Sequence, residues 1–598
     1  MKRIAVYVYY DDEGILRDFA KNTIKNFIDF CKTVIVVVNG PLRDEDAEEI
    51  RSLGGRLICR KNEGYDFAAY KAGIESISVG EKLELDELIL CNSSVYGPVF
   101  PLNELFQEME NRGVDFWGIT QWSNCRPWPD HIQSYFIVFG KKVLQAKCFS
   151  DYWNELPTMK SWGEAIKYGE TRLTPYFSEK GYLWDTYMKK EVYSGRHPSP
   201  SHCYPESLVR HRVPFIKRKC FSDKATYEEQ IKFSFGLQAK NAWEAIERTG
   251  TYDLNLILDD LCGTKTQSQS KSQIGNTFVV PSDYEVPGRA AGDEICSKAA
   301  LVIFVYFEDL MDECCRYVTS MPASSAKFIV SCKKDLLSAY EDKLTGCAKN
   351  IHFRLQENRG RSEAAYYVTC RDVFENYEYV CCVHDKKMAH LPGIVGESMM
   401  RHNFDALLAS NFYVKNLLSL FENKKHIGLL MPATPYFLRI YEGLAACPIG
   451  SNRDEIEKIL SELSIDLKMD ECLNFPVGGM FWVRREAIMP LFRKKWTLED
   501  FPPEPLPLDG AVNHALERIT PMVAQAAGYM TGYAIPDSCI GNYYEGLEYR
   551  LKVLLKDKYL MKPNPNKHYL SRHFPRLAAK CHAVRDGLRK IRKKWYGS

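Results

Sequence analysis

The chain has 598 residues, of which 45% are hydrophobic, 26% charged and 13% aromatic. This length predicts about three or four domains, and the aromatic content excludes an intrinsically disordered or collagen-like protein. The formal net charge of +2 is unevenly distributed, because residues 551–598 hold fourteen Lys and Arg against two acidic residues. The remainder of the chain is therefore acidic, which argues against a nucleic-acid-binding protein.

The cysteines and the N-terminal residues indicate a cellular compartment. None of the twenty cysteines belongs to a C-x-x-C pair, so we expect free thiols in a reducing environment. Met1–Val6 leads directly into a strand-like segment, and the sequence contains no run of eighteen apolar residues. These features predict a cytoplasmic protein that does not cross a membrane.

The first predicted elements are two buried strands with an amphipathic helix between them. Arg3–Tyr10 and Thr33–Val38 are rich in β-branched residues, which is typical of strands buried on both faces of a parallel sheet. The same order recurs at Ala300–Phe307 and Lys327–Ser331. We therefore predict that the chain contains an internal repeat of α/β units.

A short motif supports this repeat. The pattern N-x-G-x-x-x-A-A-Y occurs at Asn62–Tyr70 and again at Asn358–Tyr366, and a third predicted strand follows it at Glu87–Cys91 and at Tyr379–Val383. The glycine permits a positive φ or a close approach of backbone to ligand, and the small alanines allow tight helix packing. An ordinary strand-to-helix turn is the alternative interpretation.

A polar segment separates the two copies. Residues 263–293 include the run TKTQSQSKSQ, which is typical of a linker. We predict a first domain at 1–262, a second at 294–550 and a basic tail at 551–598. Alternating strands and helices favour α/β domains with Rossmann-like parallel sheets, in which ligands bind beyond the carboxyl ends of the strands.

In the second copy, the third strand ends in a charged cluster. Asp385 follows this strand directly, and carboxylates in this position can hold Mg²⁺ or Mn²⁺ against a diphosphate. Lys386 and Lys387 would help to neutralise that diphosphate. A charged strand end that faces solvent is the alternative.

Several acidic residues and a histidine lie close together further along the second copy. We predict Asp509 as a general base, and the helical pattern that starts there places His514 and Glu517 on one face. Glu499, Asp500, His514 and Glu517 are predicted as alternate or orienting groups. The alternative is that acidic residues at a helix N-terminus only stabilise the helix dipole.

The first copy carries mainly neutral groups at its third strand end, Asn92-Ser93-Ser94. Amide, carboxylate and aromatic groups suit a sugar, so Asn62, Asp66, Asn92 and Glu170 are predicted substrate contacts, with Asn358 as the second-copy equivalent of Asn62. Glu170 precedes a Gly-Tyr pair by eleven residues, and Glu517 does the same. The aromatic residues nearby are equally consistent with a hydrophobic core.

The C-terminal tail is predicted to form a basic amphipathic helix. Apolar residues recur every three or four positions from Leu577 to Trp595, with Lys and Arg between them. Such a helix binds anionic lipid, which predicts peripheral contact with the inner membrane face. Packing of the helix on the acidic body of the protein is the alternative.

Taken together, these motifs resemble the rhamnan synthesis F family of bacterial cell-envelope polysaccharide glycosyltransferases. In the first half, the resemblance rests on Asn62–Ile74, Leu88–Leu102, Asp115–Thr120 and His131–Phe139. In the second half, it rests on Asn358–Tyr367, Val383–Lys387, Phe475–Arg484 and Asp500–Arg518.

The resemblance implies a rhamnosyltransferase-like enzyme of tandem GT-A-like domains. It would move rhamnose or a related deoxysugar from a dTDP-sugar donor to a lipid-linked glycan. The chain departs from the family at Ser93, where an Asp is common, and at Met388, where a small polar residue is usual. Because of the first departure, a metal in the first half would depend on other residues, such as Asp66, or would be absent. Two other functions remain open: a non-catalytic glycan-binding or polysaccharide-assembly protein, and a metal-dependent nucleotidyltransferase.

Overall fold

A computed structural model describes residues 1–123, 128–193, 200–233, 237–266, 274–288, 290–387, 393–435, 449–467, 474–507 and 509–558. The chain divides into two compact units, Met1–Pro536 and Asp537–Ser598. The cysteines in the described ranges are free thiols, as predicted. Within the same ranges, no helix combines the length and the apolar character that a membrane span requires.

The strands of the described residues all lie in the larger unit. They are β1 (Arg3–Tyr9), β2 (Thr33–Asn39), β3 (Arg56–Arg60), β4 (Glu87–Asn92), β5 (Val95–Tyr96), β6 (Phe116–Gly118), β7 (Gln121–Trp122), β8 (His131–Ile132), β9 (Phe136–Gly140), β10 (Trp184–Thr186), β11 (Ile216–Lys217), β12 (Thr277–Val280), β13 (Ala299–Phe304), β14 (Ala326–Ser331), β15 (Ile351–Leu355), β16 (Tyr379–His384), β17 (Ile427–Pro432), β18 (Phe481–Arg484) and β19 (Met530–Pro536).

The α-helices alternate with these strands. They are Asp18–Phe30, Asp44–Ser52, Tyr65–Glu75, Val79–Glu84, Leu102–Arg112, Lys141–Leu144, Lys147–Asn154, Trp162–Glu164, Thr171–Ser178, Pro200–Cys203, Pro205–Arg210, Lys224–Phe233, Gln238–Thr249, Asn255–Thr264, Asp293–Ser297, Met311–Val318, Lys334–Leu344, Arg361–Ala364, Arg371–Asn376, Gly393–Leu408, Asn411–Asn423, Arg453–Glu462, Arg485–Ile488, Val512–Ala526 and, in the smaller unit, Ile540–Lys558. Two π-helical segments, Ala165–Glu170 and Ala365–Thr369, continue from helices.

Each half of the larger unit is built on one mixed sheet. The first sheet has the order β10-β6-β9-β4-β1-β2-β3, in which β9 is antiparallel to β4 and β6. The second has the order β12-β19-β17-β18-β16-β13-β14-β15, in which β18 is antiparallel to β16 and β17. Seven strands therefore follow the same order in both sheets, with the antiparallel strand at the same position. This correspondence confirms the internal repeat.

The strands form because their residues are suited to burial on both sides of a sheet. In β1, the residues from Ile4 to Tyr9 are at most 3% exposed, and Ala299–Phe304 in β13 is buried along its whole length. The parallel pairing of β1 with β2 and β4 requires helical crossovers, which cover the two faces. The predicted strands therefore agree with the observed ones to within a few residues.

The turns of the repeated motif share one conformation. Gly64 and Gly360 precede their helices with φ of 78° and 73°, a region that residues with a Cβ rarely adopt. A Cβ at Gly64 would lie 2.6 Å from the Cβ of Ala68, and one at Gly360 would lie 2.6 Å from the Cβ of Ala364. The motif therefore needs both its glycine and the alanine four residues later.

The segment predicted as a linker is partly ordered into the second sheet. Thr277–Val280 forms edge strand β12, which pairs in parallel with β19. Its sequence, TFVV, is β-branched and aromatic, which favours a strand over a flexible connection. Most of the polar run before it lies outside the described residues, as does the predicted tail helix beyond residue 558.

The two halves pack against each other within the larger unit. One hydrophobic core cluster contains residues of both halves, including Trp243 and Met530. The side-chain amide of Gln525 donates to the carbonyl oxygens of Cys262, at 2.7 Å, and Lys265, at 2.6 Å. We refer below to the first half (residues 1–262) and the second half (residues 294–536).

Candidate active site

Strand register aligns the two candidate sites residue by residue. Asn92 pairs with Val8 across β4 and β1, and His384 pairs with Phe304 across β16 and β13. The next residues are Ser93 and Asp385, and their backbone N–H groups donate to the carbonyl oxygens of Val8 and Phe304. Ser93 therefore occupies the position that Asp385 holds in the second half.

The carboxylate of Asp385 is bound by the protein's own backbone. Its Oδ2 accepts hydrogen bonds from the backbone N–H groups of Tyr306, at 2.8 Å, and Phe307, at 2.7 Å. Asp385 is only 4% exposed, and burial raises its pKa to about 6. Asp385 therefore stabilises the turn after β13.

The geometry leaves one oxygen of Asp385 for a metal ion. Oδ2 is already engaged by two backbone N–H groups, while Oδ1 is buried without a hydrogen-bond partner. Across the described ranges, no three His, Cys, Asp or Glu side chains are grouped as a metal site. A metal at Asp385 stays a prediction, and no reaction step below depends on it.

Asp509 is also held by protein groups. Its carboxylate accepts hydrogen bonds from the Nδ2 of Asn452, at 2.7 Å, and from the Oγ and N of Ser451, at 3.0 and 3.3 Å. The Nη2 of Arg518 lies 3.4 Å away. The pKa of Asp509 is lowered overall, because these contacts outweigh burial, which raises it. A carboxylate with a lowered pKa is a weak general base.

Of the other predicted groups of this region, His514 lies near Asp509, with its Nδ1 3.9 Å from Oδ1 of Asp509. Asp500 accepts from the backbone N–H of Thr497 at 2.8 Å and forms an ion pair with Lys494 at 3.0 Å, so it caps a helical turn. Glu499 is exposed. The Nδ1 of His514 accepts from the backbone N–H of Ala511 at 3.3 Å, and burial lowers its pKa.

Glu517 has a counterpart in the first half, as the sequence spacing predicted. Its Oε1 accepts from the backbone N–H of Gly478 at 2.6 Å. In the first half, the Oε2 of Glu170 accepts from the backbone N–H of Ser134 at 2.8 Å. Gly478 and Ser134 hold the same register position before β18 and β9. Both glutamates therefore fix the chain that enters the antiparallel strand.

The second half brings a different polar group together around Glu363. The Oε2 of Glu363 accepts from Asn513 and Ser362, each at 3.0 Å. A Cβ on Gly479 would lie 3.1 Å from the Oε1 of Glu363. Both Glu363 and Asn513 lie in the motifs that suggested the family, but neither was selected from the sequence.

Of the remaining second-half candidates, Lys386 lies near this group, whereas Lys387 and Asn358 lie at the surface. Lys387 forms an ion pair with Asp309 and is exposed. Asn358 is exposed as well, and Lys386 is half-buried, with its Nζ 3.6 Å from the position of a Cβ on Gly478. The described part of the second half therefore does not unite the predicted metal ligand, base and diphosphate contacts.

The first half contains a cavity of about 760 Å³ at the carboxyl ends of β1 and β4. Three of the predicted substrate contacts, Asp66, Asn92 and Glu170, line it together. The fourth, Asn62, is exposed and interacts with Tyr10 at the cavity edge. The remaining lining residues include several of both charges: Asp11, Asp12, Glu13, Arg17, Lys217, Arg218, Lys219, Asp223, Lys265 and Asp466.

Asp66 is a carboxylate of this cavity with a raised pKa. Burial raises its pKa to about 6. The Nδ2 of Asn92 donates to Oδ2 of Asp66 at 2.9 Å, while Oδ1 of Asn92 accepts from the N and Oγ of Ser94. Asn92 therefore orients Asp66 and ties it to the end of β4.

Glu170 remains ionised at neutral pH. Burial alone would raise its pKa, but His131, whose Nε2 lies 3.6 Å from Oε1, and the hydrogen bonds from Ser134 lower it to about 2. This carboxylate is a fixed anion and a structural anchor, so it does not suit a proton-transfer role.

Lys217 brings a cation to the same cavity. Its Nζ donates to the Oγ of Ser94 at 2.9 Å and lies 4.3 Å from the ring centroid of Tyr135. Burial lowers its pKa to about 8. The next residue, Arg218, forms hydrogen bonds with the buried carboxylate of Asp260 and with the carbonyl oxygen of Ser93. The sequence signal for this part was the basic run Lys217-Arg218-Lys219, which we did not assign to the site.

Comparison with known proteins defines the family. The family model described as rhamnan synthesis protein F matches residues 34–529. The chain belongs to the rhamnan synthesis protein F family. The matched residues of this rhamnan synthesis F protein extend from β2 in the first half to the segment before β19 in the second half.

Curated relatives of this rhamnan synthesis F protein match it only in part. The uncharacterized protein y4gN of Sinorhizobium fredii is 26% identical over 181 residues, which is 30% of this chain and 46% of that protein. The uncharacterized protein WxcX of Xanthomonas campestris is 27% identical over 242 residues, 40% of this chain and 33% of that protein. The chain thus spans less than half the length of either relative.

Solved structures show a weak likeness. The glycosyltransferase GlyE of Streptococcus pneumoniae is 13% identical with a TM-score of 0.25, and the match covers 65% of this chain and 86% of that one. The Staphylococcus aureus protein TarS, solved in complex with UDP, is 13% identical with a TM-score of 0.21 over 45% of this chain and 76% of that one. Likeness at this level carries no weight for function.

Proposed function

We propose that this protein is a glycosyltransferase of cell-envelope polysaccharide synthesis, and that its nucleotide-sugar donor binds in the first-half cavity. Family membership supports the reaction class. The observation that carries the location is the convergence of Asp66, Asn92 and Lys217 in one cavity of about 760 Å³ at the carboxyl ends of β1 and β4. Ligands of α/β sheets bind at this edge.

The charges of the cavity are suited to a donor that carries a diphosphate. Three of its acidic groups already have close partners: Asp11 and Glu13 pair with Arg17, and Glu170 is held by Ser134 and His131. In contrast, Lys217, Lys219 and Lys265 form no ion pair within 4 Å in the described part of the chain. Three lysines are therefore available to an anionic ligand.

In the proposed reaction, the carboxylate of Asp66 is the base and the nucleoside diphosphate is the leaving group. As the bond between sugar C1 and the diphosphate oxygen breaks, its electron pair goes to the diphosphate. A bond forms between C1 and an acceptor hydroxyl oxygen, and the hydroxyl proton moves to the carboxylate of Asp66. The pKa of about 6 for Asp66 leaves this group mostly ionised at neutral pH yet basic enough to accept the proton.

The sugar and the acceptor are part of the proposal. Family membership supports rhamnose or a related deoxysugar on dTDP, and a lipid-linked glycan as acceptor at the cytoplasmic face of the membrane. The basic composition of residues 551–598 supports peripheral contact with anionic lipid. GT-A-like character of each half belongs to the same proposal, supported by the strand order that the two sheets share.

The test is a transfer assay with the purified full chain. Radiolabelled dTDP-rhamnose, UDP-glucose and GDP-mannose are incubated with lipid-linked acceptor, and labelled product is extracted. We expect sugar transfer or slow donor hydrolysis with one donor, and loss of both in Asp66→Asn. A protein that binds glycan but neither transfers nor hydrolyses any donor would be the non-catalytic alternative. Release of pyrophosphate from a nucleoside triphosphate and a sugar phosphate would instead identify a nucleotidyltransferase.

A further inference from the structure

We infer that the ammonium group of Lys217 stabilises the leaving diphosphate in the first-half cavity, in the role that a divalent metal plays in many sugar-nucleotide sites. This inference rests on the proposed function and adds a catalytic residue to it. It predicts that the donor binds without a metal.

The first argument is the residue that ends β4. At the position of Asp385, the first half has Ser93, whose Oγ accepts from the backbone N–H of Tyr10 at 3.3 Å. Ser93 is 7% exposed. A neutral hydroxyl already used by the backbone supplies no charge to hold Mg²⁺ or Mn²⁺, which prefer carboxylate oxygens.

The second argument is the way in which the fold delivers a cation to that position. Strand β11 pairs antiparallel with β5, and this register places Lys217 opposite Val95. The Nζ of Lys217 then reaches the Oγ of Ser94, the residue directly after Ser93. The ring of Tyr135, 4.3 Å from Nζ, adds a cation–π contact that favours the charged form.

The neighbouring residue fixes the backbone of this lysine. The guanidinium of Arg218 binds the carboxylate of Asp260, which is 2% exposed, with distances of 2.8 to 3.1 Å. It also donates to the carbonyl oxygen of Ser93 at 3.1 Å. Lys217 is therefore attached to the end of β4 by a buried ion pair, so its position is preorganised for a ligand.

The third argument is that Lys217 keeps N–H groups that no described carboxylate binds directly. No described carboxylate lies within ion-pair distance of it, although Asp66 and Glu170 act on it electrostatically. A half-buried ammonium with spare N–H donors is favourable for a diphosphate oxygen, because the interaction strengthens in a site with little water. The negative charge that develops on the leaving group would complete this pairing.

The experiment measures dTDP affinity of the full chain by isothermal titration calorimetry, in excess EDTA and again with Mn²⁺. Three variants are compared: Lys217→Met, which keeps the apolar stem, Lys217→Arg, which keeps the charge, and Lys142→Met as control. Lys142 is exposed and pairs with Asp115 outside the cavity. Melting temperatures show whether each variant is folded.

We expect wild-type protein and Lys142→Met to bind dTDP equally well with and without Mn²⁺. Lys217→Met should weaken binding in EDTA by about tenfold or more, the contribution of a hydrogen bond to a charged group, and Lys217→Arg should recover part of the loss. Binding by wild type only with Mn²⁺, or wild-type affinity in folded Lys217→Met, would overturn the inference and leave the proposed function intact. If dTDP, UDP and GDP all fail to bind in either condition, the proposed function itself fails.

Discussion

The two halves of the protein share the order and direction of seven strands but differ at the edge where ligands bind. In the second half, β16 ends in a carboxylate, yet two backbone N–H groups occupy it. In the first half, β4 ends in a serine, and a lysine from β11 reaches the same place. A duplicated sheet thus preserves the backbone frame, while the chemistry at its edge depends on segments outside the repeat.

This difference shows how a strand-end carboxylate should be interpreted. Asp385 looks like a metal ligand in sequence because it follows a buried strand. In the structure, the same position in both halves binds the turn after the first strand, through Asp385 with Tyr306 and through Ser93 with Tyr10. Position alone therefore predicts a structural hydrogen bond, and an open site must be shown separately.

The largest expected effect is on turnover, and it tests which half carries the catalytic site. Asp66→Asn should lower turnover by about 10²- to 10⁴-fold, the usual contribution of a general base, with little change in melting temperature. The measurement is the rate of sugar transfer at saturating donor. Asp509→Asn, which changes the predicted base of the second half, is measured beside it. A larger loss of turnover in Asp509→Asn than in Asp66→Asn would show that the catalytic site lies in the second half.

The next effect concerns the stability of the first-half edge. Asp260→Ala should lower the free energy of unfolding by about 3 kcal/mol or more, because it leaves the guanidinium of Arg218 buried without its partner. Urea unfolding followed by tryptophan fluorescence measures the change. A loss below about 1 kcal/mol, the range of surface ion pairs, would show that Arg218 reaches solvent and does not fix Lys217.

The pH dependence of the reaction should follow the two first-half groups. Asp66 must be ionised to accept a proton, so kcat/KM should fall about tenfold per pH unit below its pKa of about 6. Lys217 must be protonated, so activity should also fall above its pKa of about 8. In Lys217→Arg, the alkaline fall should disappear because arginine stays protonated. If the activity of that variant still falls at alkaline pH, another titrating group causes the fall.

The smallest effect is expected in the second half. Arg361 and Glu504 form a two-bond ion pair at 2.7 and 2.8 Å, with Arg361 52% exposed. Glu504→Gln should lower the free energy of unfolding by less than about 1 kcal/mol, because solvent screens exposed pairs. The same urea titration measures it. An effect as large as that of Asp260→Ala would mean that both halves depend equally on ion pairs at their edges.

Much of the frame was predictable from local sequence. Hydrophobic runs located β1, β2 and β4 and their second-half equivalents because buried parallel strands need continuous apolar residues. The N-x-G motif located the two turns with positive φ, and the Glu-to-Gly spacing identified Glu170 and Glu517 as equivalent.

The side chains of the site were harder to predict. Asp66, Asn92 and Glu170 were identified because they lie in or beside the repeated motifs. Lys217 was missed because it reaches the site through a two-residue strand, β11, far along the chain from β4. The roles of Asp385 and Asp509 depend on the backbone N–H groups and amides around them, which no residue pattern reveals.

One wall of the first-half cavity comes from the other copy. Asp466 and Leu467, in the second half, line the cavity beside Asp66 and Lys217. A gene that lost its second copy would therefore encode an incomplete binding site as well as a shorter protein. Such dependence would preserve a duplicated domain over evolution even if it catalysed nothing itself.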